Sequence, residues 1–305
     1  MNSLEKLVSL GTVIVADTGD IDLIKKYKPV DVTTNPSLIL SVYKDDRFKN
    51  LLVSSDLEEV LVKLGVSISK EIEGFISTEV NPKFSYDTAE TVKLANKIIK
   101  LYESNGIDKE RVLIKIAATW EGIEAAKILE SCGIKCNMTL VFSTTQALAC
   151  AQANVTLISP FVGRITDWFK EKGHVVNKID DDFGVRNLIE IFNYFRVNNY
   201  KTIIMGASFR NIDQIKALAG LDKLTISPKL LEELICDNDT NFDKNLESIG
   251  KYEVNEITKE SFQLALNNNL MAKSKLSDGI KKFVEDTISL EQILQNLFSQ
   301  TLSAS

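Results

Sequence analysis

Short apolar runs alternate with amphipathic stretches along most of the chain. Eight runs have the length and composition of buried strands, at residues 12–17, 31–35, 75–80, 112–117, 136–141, 156–161, 202–208 and 223–227. Apolar residues at helical spacing lie between them, at 88–104, 122–131, 143–153, 185–198 and 210–219. Such alternation is typical of parallel strands joined by helices, and eight units favour a closed (β/α)8 TIM barrel over an open sheet.

Further apolar residues recur at helical spacing after the last strand, and they predict two C-terminal helices within 258–300. The apolar stripes of these helices need a surface, either the outside of the barrel or a subunit contact. No repeat, low-complexity segment or linker divides the sequence. We therefore interpret 1–305 as a single barrel domain with 258–305 as a C-terminal helical extension.

The overall charge and hydropathy exclude some classes of function. The 305 residues are 44% hydrophobic and 26% charged, and the net charge of −6 gives no electrostatic footprint for nucleic acid. No apolar stretch reaches the roughly 18 residues that a membrane helix needs. We therefore expect neither a nucleic-acid partner nor a membrane partner.

Few residues are suited to metal binding or to disulfide bonds. His174 is the only histidine. The cysteines are Cys132, Cys136, Cys150 and Cys236. They lack a second pair at zinc-ligand spacing, so we expect no metal site and interpret them as buried thiols in a reducing cytoplasm. Residues 7–16 lack the basic flank and cleavage site of a signal peptide, which agrees with a cytoplasmic location.

Lys115 is the one polar residue in the apolar run VLIKIA, residues 112–117. Side chains alternate between the two faces of a strand, so Leu113, Lys115 and Ala117 are expected to point into the barrel. An ammonium group is costly to bury unless it is paired or neutralised. Desolvation favours the neutral amine, which is the form that attacks a carbonyl to give a Schiff base.

The same alternation predicts polar residues on the inner face of other strands. The residues that alternation groups there are Thr33 and Asn35, Ser77 and Glu79, Asn137 and Thr139, Ser159 and Phe161, and Gly206 and Ser208. Asp17 ends the first strand. Most of these residues lie at the C-terminal end of a strand, where barrel active sites are built. We therefore expect an amine, two carboxylates, two amides and several hydroxyls to converge there.

These groups suit chemistry at a ketone. The protonated imine formed on a lysine is an electron sink that permits cleavage or formation of the adjacent carbon–carbon bond. Asp17 is a suitable acid/base for the substrate hydroxyl, and Glu79 with a water held by Thr139 could move protons during imine formation. Asn35 and Asn137 could hold substrate hydroxyls. Structural roles remain open, because Asn35 and Asp17 could be turn residues and Glu79 a partly solvated strand end.

Two of the six arginines directly follow predicted strands. Arg164 and Arg210 each begin the next predicted helix, after the sixth and the seventh strand. Helix N-termini attract anions, and the planar guanidinium fork suits phosphate. We expect a phosphate site there, and the alternative is a pair of surface ion pairs.

Several collinear blocks of the sequence resemble transaldolases. The blocks are residues 13–40, 76–80, 85–88, 111–143, 151–168, 205–211 and 271–286, which together cover most of the chain. The block RVLIKIAATWEGIEAAKILESCGIKCNMTLVFS, at 111–143, resembles the segment that holds the Schiff-base lysine of that family. Ala118 stands where the family often has serine, and 169–184 and 237–258 match poorly.

The resemblance implies a cofactor-free barrel that forms a homodimer and acts on sugar phosphates. The implied reaction moves a dihydroxyacetone unit from sedoheptulose 7-phosphate to glyceraldehyde 3-phosphate, giving erythrose 4-phosphate and fructose 6-phosphate in the non-oxidative pentose phosphate pathway. The implied catalytic residues are Lys115 for the Schiff base, Asp17 as acid/base, and Glu79 and Thr139 for the catalytic water. The implied substrate-binding residues are Asn35, Asn137 and Ser159 for dihydroxyacetone, Arg164, Ser208 and Arg210 for phosphate, and Phe161 in the pocket wall.

Three alternatives are left open at this point. One is an aldolase of similar fold that releases free dihydroxyacetone from fructose 6-phosphate. Another is a metal-dependent sugar-phosphate isomerase or epimerase, which the shortage of histidine disfavours. The last is a barrel that binds a ligand without catalysis.

Overall fold

The computed structural model describes residues 1–43, 54, 56–244, 246 and 255–304, with the backbone alone at 298 and 300–304. Part of the poorly matching segment 237–258 therefore lies outside the described residues. The strands are β1 (Val13–Asp17), β2 (Asp31–Thr33), β3 (Ile76–Glu79), β4 (Val112–Ala117), β5 (Cys136–Val141), β6 (Leu157–Pro160), β7 (Ile203–Gly206) and β8 (Lys223–Ile226). They are all parallel and close into a barrel in chain order, with β8 paired to β1.

Helices connect the strands and follow the last of them. They are α1 (Ser3–Ser9), α2 (Ile21–Tyr27), α3 (Pro36–Tyr43), α4 (Leu57–Ser69), α5 (Thr88–Ser104), α6 (Trp120–Ser131), α7 (Thr144–Gln152), α8 (Gly163–Glu171), α9 (Phe183–Val197), α10 (Ile212–Lys216), α11 (Pro228–Cys236), α12 (Lys259–Asn268) and α13 (Leu270–Ala304). The predicted (β/α)8 barrel and its C-terminal helices are thereby confirmed. The division into a single domain with an extension stays a prediction. Within the described part of the chain, no helix is both long and apolar enough to cross a membrane.

The strands are rich in apolar residues because both of their faces are buried. On β4, Ile114 and Ile116 face the helices, while Leu113 packs inside the barrel with Leu157 and Met205. A fully buried side chain of this size contributes roughly 1.5–3 kcal/mol relative to exposure. Apolar side chains therefore fill the barrel interior toward the N-terminal ends of the strands, and the polar side chains collect at the C-terminal ends.

The helix α13 lies close to that C-terminal end. The pairing of β5 with β6 is irregular, and Leu140 in this bulge has a left-handed φ of 57°. Gln146 stabilises this conformation, since its Nε2 donates to Leu140 O at 3.0 Å. An added Cβ at Gly279 of α13 would lie only 2.7 Å from Leu140 Cδ2. A residue without a side chain is required there, and it lets α13 approach the barrel mouth.

Two predictions about local structure are wrong. The helix expected over 210–219 is the short α10, because Asn211 caps its start and 3₁₀-type turns follow Lys216. Cys136 and Cys150 are buried, but Cys132 and Cys236 are exposed. The exposed cysteines lie at the ends of α6 and α11, where the apolar stripe of each helix has ended.

Candidate active site

A cavity of about 210 Å³ opens at the C-terminal end of the barrel. Its lining residues are Asp17, Thr33, Asn35, Lys115, Thr139, Ser159, Phe161, Arg164, Met205, Ala207, Ser208, Phe209, Arg210, Thr225, Ser227, Leu230 and Phe283. Every predicted site residue lines this cavity except Glu79 and Asn137, which lie behind its wall. A larger groove of about 730 Å³ lies between α9 and α10, and no predicted site residue reaches it.

Lys115 lies between two polar neighbours in the sheet. The strand register places Glu79 of β3 beside it on one side and Asn137 of β5 on the other. Its side chain is 5% exposed. The Nζ atom donates a hydrogen bond to Thr34 O at 2.9 Å and lies 3.5 Å from Glu79 Oε2. The amine is thus held at the cavity wall with a carboxylate behind it.

Glu79 is buried, so it is not the partly solvated strand end that the sequence left open. Burial raises the pKa of its carboxyl to about 7, although the nearby Lys115 ammonium opposes the rise. Glu79 Oε2 and Thr139 Oγ1 are both buried without a hydrogen-bond partner among the described residues. A carboxyl with a pKa near neutrality can both give and take a proton at physiological pH.

Asp17 faces the cavity from the end of β1. Its Oδ1 accepts a hydrogen bond from Thr33 Oγ1 at 2.9 Å, and that hydroxyl is 2.8 Å from Thr225 Oγ1. Desolvation raises the pKa of Asp17, while the positive charge of Lys115 and the Thr33 hydrogen bond oppose the rise. Thr33 and Thr225 were not among the predicted site residues. Strand alternation does place Thr33 on the inner face, but it gives no sign of the bond to Asp17.

The two predicted amides differ in their surroundings. Asn137 is fully buried, and its Oδ1 accepts a hydrogen bond from Ser159 Oγ at 2.6 Å. It therefore orients Ser159, which lines the cavity. Asn35 lines the cavity directly, and its Oδ1 accepts from Leu38 N at 3.0 Å at the start of α3. The structural role that was left open for Asn35 is thus real and coexists with its place in the cavity wall.

The two arginines lie side by side but have different partners. Arg164 is half-buried, with its guanidinium 5.0 Å from the Phe161 ring centroid and 5.6 Å from that of Phe283. Among the described residues, Arg164 forms no ion pair. Burial and the neighbouring Arg210 lower its pKa. Arg210 is more exposed and pairs with Asp167, with 2.6 Å between Nη2 and Oδ2.

Arg210 therefore forms the surface ion pair of the alternative while it also lines the cavity, whereas Arg164 forms no ion pair among the described residues. The unpaired guanidinium of Arg164 lies in an apolar setting at the first turn of α8, where backbone N–H groups also favour an anion. This combination is suited to a phosphate group.

The prediction that Gly206 lies on the inner face of β7 is wrong. Met205 and Ala207 line the cavity, whereas Gly206 faces outward, where an added Cβ would lie 3.0 Å from Leu188 Cδ2. Ser208 nevertheless reaches the cavity, because the strand has ended and the residue has a left-handed φ of 63°. Backbone conformation after the strand, and not alternation within it, sets the place of Ser208.

Phe283 is the functional candidate that sequence reasoning missed most clearly. It lies on α13, far along the chain from the strands, and reaches the cavity beside Arg164. The apolar stripe of α13 contains it, but a stripe does not indicate which surface it packs on. In the described ranges, no group of three or more His, Cys, Asp or Glu residues could hold a metal ion. The expected absence of a metal and of a cofactor stays a prediction.

Fold and site together define a (β/α)8 barrel protein whose cavity contains a buried lysine, with carboxylates near it and two arginines in its wall. A family profile described as Transaldolase/Fructose-6-phosphate aldolase matches residues 14–294. The chain belongs to this family.

Curated relatives agree over nearly the full length. A transaldolase of Alteromonas mediterranea is 49% identical, over 94% of this chain and 96% of the relative. The transaldolase of Schizosaccharomyces pombe is 48% identical over 97% and 98%, and that of Saccharomyces cerevisiae is 46% identical over 96% and 95%. The resemblance to transaldolases, and with it the prediction of an enzyme of the transaldolase type, is confirmed.

Proposed function

We propose that the protein transfers a dihydroxyacetone unit between sugar phosphates through a Schiff base on Lys115. The reaction is that of a transaldolase in the non-oxidative pentose phosphate pathway, from sedoheptulose 7-phosphate and glyceraldehyde 3-phosphate to erythrose 4-phosphate and fructose 6-phosphate. The observation that carries the proposal is a buried amine that shares one cavity with Asp17 and with the unpaired guanidinium of Arg164. Sugar-phosphate substrates also follow from family membership.

The first step joins the amine to the donor ketone. Neutral Lys115 Nζ attacks C2 of the donor, and the carbinolamine then loses water to give the protonated imine. Glu79 lies 3.5 Å from Lys115 Nζ, and its pKa of about 7 lets it supply the proton that the departing water needs. The unpaired Thr139 hydroxyl is suited to holding that water.

The second step breaks the bond between C3 and C4 of the donor. Asp17 takes the proton of the C4 hydroxyl, the electron pair of the broken bond moves toward the imine, and the aldehyde product leaves. The enamine then attacks the carbonyl carbon of the acceptor aldehyde, and Asp17 returns the proton to the new hydroxyl. Hydrolysis of the second imine frees Lys115 and the product.

The remaining residues hold the two ends of the substrate. Ser159, oriented by Asn137, and the cavity-lining Asn35 are placed to bind hydroxyls of the dihydroxyacetone unit. Arg164, Arg210 and Ser208 line the part of the cavity suited to the phosphate, and Phe161 forms its apolar wall.

Product analysis tests this function against its closest rival. The protein is incubated with fructose 6-phosphate, with and without erythrose 4-phosphate. Transfer requires sedoheptulose 7-phosphate with the acceptor and little free dihydroxyacetone without it, and Lys115→Met should abolish both reactions. Free dihydroxyacetone as the main product would favour the aldolase. Loss of activity with a chelator would favour the metal-dependent isomerase or epimerase.

We also propose that the protein is a cytoplasmic homodimer. Support comes from the resemblance to the family and from free cysteines without a disulfide. Exposed apolar side chains on the C-terminal helices, Leu264, Leu270 and Ile288, offer surface that a second subunit would cover. Light scattering should give twice the chain mass of 34.0 kDa, and a mass of one chain would contradict the dimer.

A further inference from the structure

The two arginine-bearing segments are joined directly through their backbones. Val162 N donates to Ala207 O at 2.9 Å, and Gly163 N donates to Ser208 O at 2.8 Å. The approach is so close that an added Cβ at Gly163 would lie 2.4 Å from Ser208 O and 2.7 Å from Arg210 Cγ. The start of α8 and the segment after β7 therefore fit only in one relative placement.

A buried polar cluster lies outside the cavity wall, against these segments. Gln214 is fully buried, and its Oε1 accepts a hydrogen bond from Arg210 N at 2.8 Å. Its Nε2 donates to Thr166 Oγ1 at 3.0 Å and to Asp182 Oδ2 at 2.8 Å. Thr166 Oγ1 in turn donates to Asp182 Oδ1 at 2.8 Å. We refer to Gln214, Thr166 and Asp182 as the Gln214 network.

The network also fixes the start of α9. Asp182 is 2% exposed, and its Oδ1 accepts from Gly184 N at 2.8 Å and from Val185 N at 3.2 Å. An added Cβ at Gly184 would lie 2.2 Å from Val162 O, so this turn packs against the residue that precedes α8. A buried carboxylate with several donors is strongly held, so Asp182 ties Gln214 and Thr166 to the start of α9.

We propose that the Gln214 network positions the two cavity arginines for a phosphate group, an inference that rests on the proposed function. None of its three residues lines the active-site cavity. The network acts through the backbone of Arg210 on one side and through α8, which carries Arg164 two residues before Thr166, on the other. Forked binding of a phosphate depends on the alignment of both guanidinium groups. A substrate without a phosphate makes no demand on that alignment.

The test compares phosphorylated and unphosphorylated acceptors. Gln214→Met and Thr166→Val remove hydrogen-bonding groups with little change of shape, and Thr166→Ser keeps the hydroxyl. Initial rates are measured with saturating sedoheptulose 7-phosphate as donor and with either glyceraldehyde 3-phosphate or glyceraldehyde as acceptor, which give fructose 6-phosphate or fructose. Gln146→Met is the matched control, because Gln146 is an equally buried glutamine that bonds to Leu140 O, Ala118 O and Phe142 N elsewhere in the barrel.

The network variants should raise KM for glyceraldehyde 3-phosphate roughly tenfold, which corresponds to about 1.4 kcal/mol of lost binding. For glyceraldehyde, KM should stay within about twofold, and kcat should change little with either acceptor. Thr166→Ser should restore the KM ratio of the unsubstituted protein. Gln146→Met should lower stability without changing that ratio.

An equal change for both acceptors, or an unchanged KM for glyceraldehyde 3-phosphate, overturns the positioning role. If Gln214→Met does not fold, Thr166→Val against Thr166→Ser decides the question by the same ratio. Borohydride trapping on Lys115 in the unsubstituted protein distinguishes failure of the network's positioning role from failure of the proposed function. A trapped adduct with an unchanged KM ratio removes the network alone, whereas the lack of an adduct removes the proposed function.

Discussion

Replacement of Glu79 by glutamine should remove a specific pH dependence of stability. The ordinary pKa of the carboxyl is 4.5, and burial raises it to about 7 in the folded protein. The folded state therefore binds a proton more tightly than the unfolded chain between these values. This contribution to stability is fully present below the unfolded pKa and is lost as the pH rises through the folded pKa.

The size of the effect follows from the two pKa values. At about 1.4 kcal/mol for each pH unit, the interval from 4.5 to about 7 gives about 3 kcal/mol. Most of it falls between about pH 5 and pH 8. Glutamine does not titrate, so Glu79→Gln should gain this amount relative to the unsubstituted protein as the pH rises. Contacts that the substitution removes shift the free energy of unfolding by the same amount at every pH, so they do not change its slope against pH.

Urea unfolding of both proteins across this pH range measures the difference in the free energy of unfolding. Glu285→Gln, at an exposed glutamate of α13, is the control and should leave the slope as it is. A difference between Glu79→Gln and the unsubstituted protein that stays constant with pH would falsify the assignment of a raised pKa to Glu79. A difference with the opposite slope would mean that Lys115 outweighs burial at this carboxyl.

Three further substitutions test other parts of the site. Gly163→Ala places a Cβ 2.4 Å from Ser208 O and should raise KM for phosphorylated substrates at least roughly tenfold in steady-state assays. An unchanged KM would show that the close approach of the two segments is dispensable. Thr33→Val removes the hydrogen bond that lowers the pKa of Asp17, so the acid limb of the profile of kcat/KM against pH should move to higher pH. An acid limb that does not move would contradict the acid/base role of Asp17. Phe283→Leu removes one ring beside the unpaired guanidinium and should raise KM for phosphate esters about threefold, whereas an equal rise for unphosphorylated substrates would argue against it.

The barrel and its central lysine could be predicted because both depend on regular periodicity. Strands that are buried on both faces must be apolar, so eight apolar runs separated by helices are a strong signal. Within β4 that signal has one exception, Lys115, and strand alternation is enough to place it inside. The same reasoning places Glu79, Asn137 and Thr139 on the inner face.

Periodicity does not indicate how deep a side chain lies below the cavity, how the backbone continues after a strand, or which distant segments are in contact. It could not tell that Glu79 and Asn137 lie behind the cavity wall while Thr139 lines it. It failed at Gly206, which faces outward, and Ser208 reaches the cavity through a left-handed φ beyond the end of β7. The arrival of Phe283 depends on where α13 docks, which is a tertiary contact between segments far apart in the chain.

The central claim is that Lys115 forms the covalent intermediate. The most direct measurement is incubation with fructose 6-phosphate, reduction with borohydride and peptide mapping by mass spectrometry. Lys223, which is also buried and lies on β8, pairs with Asp31 and serves as an internal control. We predict a reduced dihydroxyacetone adduct on Lys115 and none on Lys223. An unmodified Lys115, or an adduct on a different lysine, would contradict the account.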